Sequence, residues 1–363
     1  MHSRFEQLQM FGWNSDLESH FEPFDVRGSE PGRVTQENKH FFHVQTAAAQ
    51  LLAEVSGKLR FEAGGREQLP AVGDWVVVRS RPKEDRGTIH AILPRKSQFV
   101  RKEAGRRISA QVVGANIDWV VIMTSLNQDF NLRRLERYLV LACESGASPI
   151  VVLSKADLCP DARPGISAVE AQFPGVPVHA ISVLADCGLE GLAPYFGAGK
   201  TVALLGSSGV GKSTLINKLL GAEALKTQEV RVHDDRGRHT TAHRQLMLLP
   251  GGALVLDTPG MRELQLWGDG DGLHAAFEEI EVVAGSCRFR DCTHQHEPGC
   301  AVREALEQGS LDHGRYQHYE KLQRELRHLF LQQDRHAQQQ ERRRWKSLSR
   351  MAKDRAATKR KGG

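Results

Sequence analysis

The chain has 363 residues, room for two or three domains of about 150 residues each. With 40% hydrophobic and 26% charged residues it can build a sizeable core, which excludes a wholly disordered chain. No apolar run approaches the ~20 residues that span a bilayer, and Met1–Met10 lacks a signal-peptide core, so neither membrane insertion nor secretion is expected and a cytoplasmic protein is.

The net charge of +5 is unevenly spread. Between Arg342 and Lys361 ten Lys/Arg face one acid, Asp354, so that segment carries +9 and the remainder −4. A basic tail on a slightly acidic body predicts a nucleic-acid partner; the plain alternative is a solubilising tail.

In chain order, residues 1–33 are punctuated by Gly and Pro and read as a loosely packed N-terminal extension. Residues 34–112 read as about five short strands in an OB-type barrel, a fold often used on RNA. The evidence is alternation in His40–Thr46, an apolar run Leu51–Val55, and then Asp74–Arg79 and Thr88–Leu93. From residue 113 to 272 apolar strands alternate with helices, as in a doubly wound α/β domain. Strands are expected at 118–124, 149–153, 178–181, 201–205, 245–249 and 253–256. Helices are expected at 131–145, 166–173 and 189–196, and from Lys212. Residues 273–335 read as helical with a cysteine-rich insert, and 336–363 as the basic tail. Tyr316, Tyr319, Leu322, Leu326 and Leu329 form one apolar stripe, the signature of ordinary helix packing.

The run Gly206, Ser207, Ser208, Gly209, Val210, Gly211, Lys212, Ser213, Thr214 fits G-x-x-x-x-G-K-[ST] between a strand and a helix. Its amides can wrap phosphates, Lys212 adds a point charge, and Ser213 can ligate Mg²⁺. Asp257-Thr-Pro-Gly260 ends another apolar strand. Asp257 is placed to hold Mg²⁺ through water, and the Gly260 amide to sense a γ-phosphate. Ser154, Lys155, Ala156 and Asp157 end a third strand. A carboxylate there can accept both N1–H and N2–H₂ of guanine, and adenine offers no such pair. Ser182, at the next strand end, lies where a backbone amide would meet the guanine O6. The polar stretch Arg231–His243 reads as a loop whose Thr240 or Thr241 reaches Mg²⁺. Cys287, Cys292, His294 and Cys300 offer three thiolates and an imidazole within fourteen residues, a donor set for one closed tetrahedral Zn²⁺ site, with His296 as the rival imidazole.

These loops resemble those of GTPases, but in permuted order: the base-reading Ser154–Asp157 and Ser182 precede the phosphate loop, and Asp257–Gly260 comes last. With the barrel and the Cys/His cluster, residues 34–330 resemble the RsgA (YjeQ) family of circularly permuted GTPases that depend on the small ribosomal subunit. Two departures are Ser154, where GTPases usually carry Asn, and Val183 after Ser182. The resemblance implies a GTP hydrolase that binds the small subunit and its rRNA, assists late maturation and is stimulated by the subunit. It also implies one structural Zn²⁺ held by His294 rather than His296, and Mg²⁺ with GTP. A monomer is expected. Met261 follows Gly260 where many GTPases carry Gln, so the bare enzyme should be slow. The resemblance assigns the water-positioning role to His239, with His243 as its rival. Three other readings stand beside it: a P-loop ATPase or kinase of another class, a GTP-binding RNA scaffold with little catalysis, and a GTPase for the large subunit or tRNA.

Overall fold

A computed structural model describes residues 5–38, 41–81, 84–102, 110–127, 130–221, 244–257, 266 and 270–329. The strands are β1 Ser29–Glu37, β2 Phe42–Thr46, β3 Gln50–Val55, β4 Trp75–Arg81, β5 Arg86–Ile92, β6 Gln98–Lys102, β7 Ala110–Ala115, β8 Trp119–Ser125, β9 Ser148–Ser154, β10 Val178–Ala180, β11 Thr201–Gly206, β12 Arg244–Leu248 and β13 Leu254–Asp257. The helices are α1 Ser15–Phe21, α2 Gly57–Glu62, α3 Leu132–Ser145, α4 Arg163–Gln172, α5 Lys212–Leu220, α6 Asp271–Ala276, α7 Glu278–Ala284 and α8 Ala301–Glu307, and residues 313–329 form α9.

The first five strands close a barrel in the order β1-β2-β3-β5-β4, with β4 returning to β1. The β3–β5 pair is parallel and the other barrel pairs are antiparallel. Alternate residues point inward, so Val34, Val44, Leu51, Ala53, Val76, Val78 and Ile89 fill the interior. The other face of β4 is covered too. Trp75 and Val77 pack under Phe5, Leu8, Trp13 and Phe21. Residues 5–28 are therefore not a loose extension. Four large side chains from that segment bury themselves on the barrel wall, and Trp13 meets Trp75 edge-on at 4.9 Å.

The second unit is a six-stranded sheet in the order β10-β9-β8-β11-β13-β12, parallel except for β12. Its inner strands β8, β9, β11 and β13 are mostly apolar because both faces are buried. Val120, Ile122, Val151, Leu153, Ala203 and Leu205 face one core, which α3, α4 and α6–α9 cover. Val121, Met123, Ile150, Val152, Val202 and Leu204 face the other, which is closed by α5 and a 3-10 helix, Leu189–Tyr195. The sequence predicts an ordinary short helix there; Pro194 lies inside it, and the tighter winding results.

Barrel and sheet are joined by an antiparallel contact between β1 and β12, with Gln36 opposite Gln245. Beside it the buried guanidinium of Arg33 donates to the Asn116 carbonyl (3.1 Å), the Thr201 hydroxyl (2.8 Å) and the Phe11 carbonyl, and lies 5.3 Å from the Trp75 ring. Burial lowers its pKa to about 10. One group thus fastens the N-terminal segment, the barrel and the start of β11 together. The C-terminal helices share the first core of the sheet: Val302, Tyr316, Tyr319 and Leu322 are part of the same cluster as Leu135 and Leu139.

Candidate functional site

Strands β8, β9, β10, β11 and β13 are parallel, so their carboxyl ends lie on one edge of the sheet. Register fixes this: Gly206 pairs with Met123, Ser125 with Ser154, and Leu153 with Ala180. The loops at 206–214, 154–157 and 180–183 and the side chain of Asp257 therefore emerge together, where ligands bind in open α/β sheets. Chain order is reversed, yet adjacency in space is intact.

The phosphate loop turns on glycine. Gly206, Gly209 and Gly211 have φ of 147°, 76° and 99°, and a Cβ on Gly206 would lie 2.4 Å from the Met123 carbonyl oxygen. Val210 is anchored in the second core, which holds the loop to the sheet. Lys212 opens α5, and its ammonium donates to the carbonyls of Gly206 and Ser207, each at 2.6 Å. Ser213 and Thr214 occupy the first turn of that helix.

The Ser154–Asp157 loop is tied to the 206–214 loop by a single side chain. Ser154 is buried, and its hydroxyl donates to the Val210 carbonyl at 2.7 Å and lies 3.3 Å from the Thr124 carbonyl. Lys155 takes a left-handed conformation with φ 57°, which turns the chain sharply and leaves Asp157 exposed. The Ala156 amide donates to the Ile181 carbonyl at 3.0 Å.

Ser182 closes a short turn with Cys187. Its amide donates to the Cys187 carbonyl (2.9 Å) inside its own turn, so that amide is not presented to a base. Its hydroxyl instead donates to Asp157 Oδ1 and accepts from the Ala185 amide at 3.0 Å. The serine aims the carboxylate. An exposed Asp without such a partner would sample several rotamers; this one is held. Neither link could be found in sequence, because each depends on which loops the permuted sheet brings side by side. His239, Thr240, Thr241, the rival His243 and Gly260 lie outside the described residues.

The Cys/His cluster assembles as its spacing predicts. The donor atoms of Cys287, Cys292, His294 and Cys300 all lie within 4.8 Å of one another. Cys287 Sγ is 4.0 Å from Cys300 Sγ, and His294 Nδ1 is 3.6 and 3.4 Å from these two sulfurs. Bond lengths of ~2.3 Å to sulfur and ~2.0 Å to nitrogen in a tetrahedron require separations of roughly 3.8 and 3.6 Å, so the donor set fits one Zn²⁺. His294, not His296, belongs to the set, and its φ of 61° turns the ring inward. Glu297 shapes the loop. It accepts from the Thr293 hydroxyl (2.6 Å) and the amides of Thr293, Gln295 and His296, and these bonds, the Thr293 hydroxyl first, hold its carboxyl down at about 2.

A buried carboxylate joins the sheet unit to the C-terminal helices. Glu136 on α3 is fully buried and receives Arg133 (2.8 Å), Gln172 from α4, and Arg315 (3.1 Å) and His318 from α9. Arg315 also pairs with Glu279, donates to the Ala276 carbonyl at 2.9 Å and lies 4.5 Å from the Phe277 ring. In sequence Glu136 reads as one more charged residue on an amphipathic helix.

Residues 92–267 match the family described as RsgA GTPase. Residues 189–357 also match the description ABC transporter, a range that contains the phosphate loop but not β8–β10 or Asp157. Over 350 residues the chain is 47% identical to a protein of Opitutus terrae named Small ribosomal subunit biogenesis GTPase RsgA, covering 94% of this chain and 95% of that one. Its fold is similar to that of YjeQ from Thermotoga maritima, with TM-score 0.62, 27% identity, and coverage of 82% of this chain and 98% of that one. It is also similar to YloQ, described as a circularly permuted GTPase, with TM-score 0.61, 26% identity, and coverage of 84% and 96%.

Proposed function

The chain belongs to the RsgA GTPase family, and from that premise we propose that it hydrolyses GTP on the small ribosomal subunit, assists late maturation of that subunit and is accelerated by it. The observation that carries the reading is the junction of the Ser154–Asp157 loop with the phosphate loop through the Ser154 hydroxyl. One nucleotide can then touch Asp157 with its base and Lys212 with its phosphates.

In this reading Asp157, aimed by Ser182, accepts the N1–H and N2–H₂ of guanine, and adenine leaves the carboxylate unpaired at a cost of about 1–3 kcal/mol. The Lys155 stem lies along the base plane. Lys212 exchanges its loop carbonyls for phosphate oxygens, and the amides of 207–214 bind the rest. Mg²⁺ brought with GTP would be held by Ser213, Asp257 through water, and Thr240 or Thr241; it supplies charge neutralisation at the phosphates. Phosphoryl transfer depends mainly on positioning and charge, so the slow element is the attacking water. With Met261 after Gly260, the chain supplies no amide side chain there, and we assign the water to His239, acting when the subunit is bound. Zn²⁺ at the Cys/His cluster has a structural part, since four protein donors leave no open position. The protein works as a monomer in the cytoplasm, and the barrel and C-terminal unit bind rRNA by phosphate and shape.

GTP hydrolysis by the purified chain alone, with small subunits and with large subunits tests this. Slow basal turnover, strong stimulation by small subunits and none by large ones is expected. Equal stimulation by both, or efficient turnover of ATP, contradicts it.

A further inference from the structure

The face where α9 crosses the start of α3 carries a cleft of about 610 Å³ lined by Arg133, Gln317, His318, Glu320, Lys321 and Arg324. Three permanent cations and one acid border it. Gln317, Lys321 and Arg324 follow at i, i+4 and i+7, so they form a stripe along one face of α9 about 10 Å long. Arg133 reaches the cleft from α3, on the GTPase unit. A side chain on Gly314 would lie 2.4 Å from its guanidinium, so glycine there makes room for it. His318 forms part of the wall, with Nδ1 turned to the buried Glu136.

Charges here differ in how they are balanced. Arg133 is shared with Glu136 and Asp312. Lys321 and Arg324 are exposed and form no ion pair within 4 Å among the described residues. Two exposed cations one turn apart, neither held in an ion pair, suit a chain of phosphates better than a single anion; Arg324 donates to the Glu320 carbonyl of its own helix at 3.2 Å, which leaves its outer nitrogens to face solvent. In sequence the same helix leads toward the +9 segment at 342–361.

We propose that the α3–α9 cleft is a docking groove for the phosphate backbone of RNA, gripped by Lys321, Arg324 and Arg133. A strand lying there touches both the GTPase unit and the zinc unit, so it clamps α9 onto α3 above the Glu136 hub. The inference rests on the reading that this chain works on ribosomal RNA, and it adds where the RNA lies.

The test compares the full-length chain with Lys321→Gln/Arg324→Gln and with Glu320→Gln. Binding is measured to small subunits and to a naked RNA duplex over a range of salt. The double variant should bind both about tenfold more weakly near physiological salt. Its salt slope should fall by roughly 1.4–1.8, since each of the two lost phosphate contacts removes about 0.7–0.9. Basal GTP hydrolysis and melting temperature should not move, and Glu320→Gln should bind more tightly. Small-subunit binding that is unchanged in affinity and slope overturns the groove and leaves the GTPase reading standing. A loss confined to subunits, with naked RNA bound as by wild type, also overturns it, because the groove then meets protein. If wild type ignores small subunits but binds the duplex in a groove-dependent way, the ribosomal reading fails and the groove stands.

Discussion

Replacing Arg315 with Met should loosen the C-terminal helices from the GTPase sheet. Arg315 is almost fully buried and serves two carboxylates, Glu136 and Glu279, as well as the Ala276 carbonyl. Removing one partner of a buried ion pair costs about 3–5 kcal/mol, because the remaining charge stays desolvated. Glu136 keeps Arg133, and Met restores part of the packing against Phe277 and Phe173, so the lower end, about 3 kcal/mol, is expected. At roughly 2–4 °C per kcal/mol, that lowers the melting temperature by about 6–12 °C. Glu136→Gln combined with Arg315→Met should show a coupling of about 1–3 kcal/mol in a double-mutant cycle. GTP affinity should stay within twofold, since Arg315 touches neither the phosphate loop nor Asp157. A loss below 1 kcal/mol with an additive cycle would refute the view that this hub fastens the two units.

Three further outcomes follow from the geometry. Ser154→Ala should cost about 1–2 kcal/mol in unfolding free energy by stranding the Val210 carbonyl, and should weaken GTP binding several-fold by freeing the two loops from each other; calorimetry of both quantities checks it. The purified chain should carry one zinc, and stripping it with a strong chelator, or Cys292→Ser, should lower that content and raise hydrogen exchange across 287–311 while nucleotide binding persists. Arg137 pairs with Glu325 at 2.8 and 2.7 Å and holds its carboxyl below the ordinary value, so the stabilisation is present above an unfolded pKa of about 4.3 and is lost as pH falls through the folded value. Glu325→Gln should therefore cost about 0.5–1 kcal/mol at pH 7, and the difference from wild type should shrink steadily below pH 4.5 in urea titrations.

Much of the site was legible in sequence because its parts are local. The phosphate loop, Lys155–Asp157 and the four metal donors each sit within a short run whose spacing carries the chemistry. The barrel was legible in part: β2 alternates and β3–β5 stand out as short apolar runs between turns, but β1 contains Pro31, Gly32 and a buried Arg33 and reads as a loop. That arginine breaks the apolar pattern because it faces the seam between barrel and sheet. The packing of residues 5–28 leaves no trace in sequence, since their Phe and Trp are scattered among polar residues and only the wall of β4 reveals what they cover. Ser182 and Glu136 take their roles from neighbours far away in the chain, and no local pattern announces them.

The most direct test of a single pocket shared by Asp157 and Lys212 is the nucleotide preference of Asp157→Asn. Xanthine carries a carbonyl where guanine carries its N2 amine, so an amide at position 157 should pair with it. Binding titrations should show GTP weakened by about 10–100-fold, the loss of charge-assisted bonds worth about 1.5–3 kcal/mol, and xanthosine triphosphate becoming the preferred ligand. Unaltered GTP affinity in the variant, with xanthosine triphosphate still excluded, would show that the base never reaches Asp157.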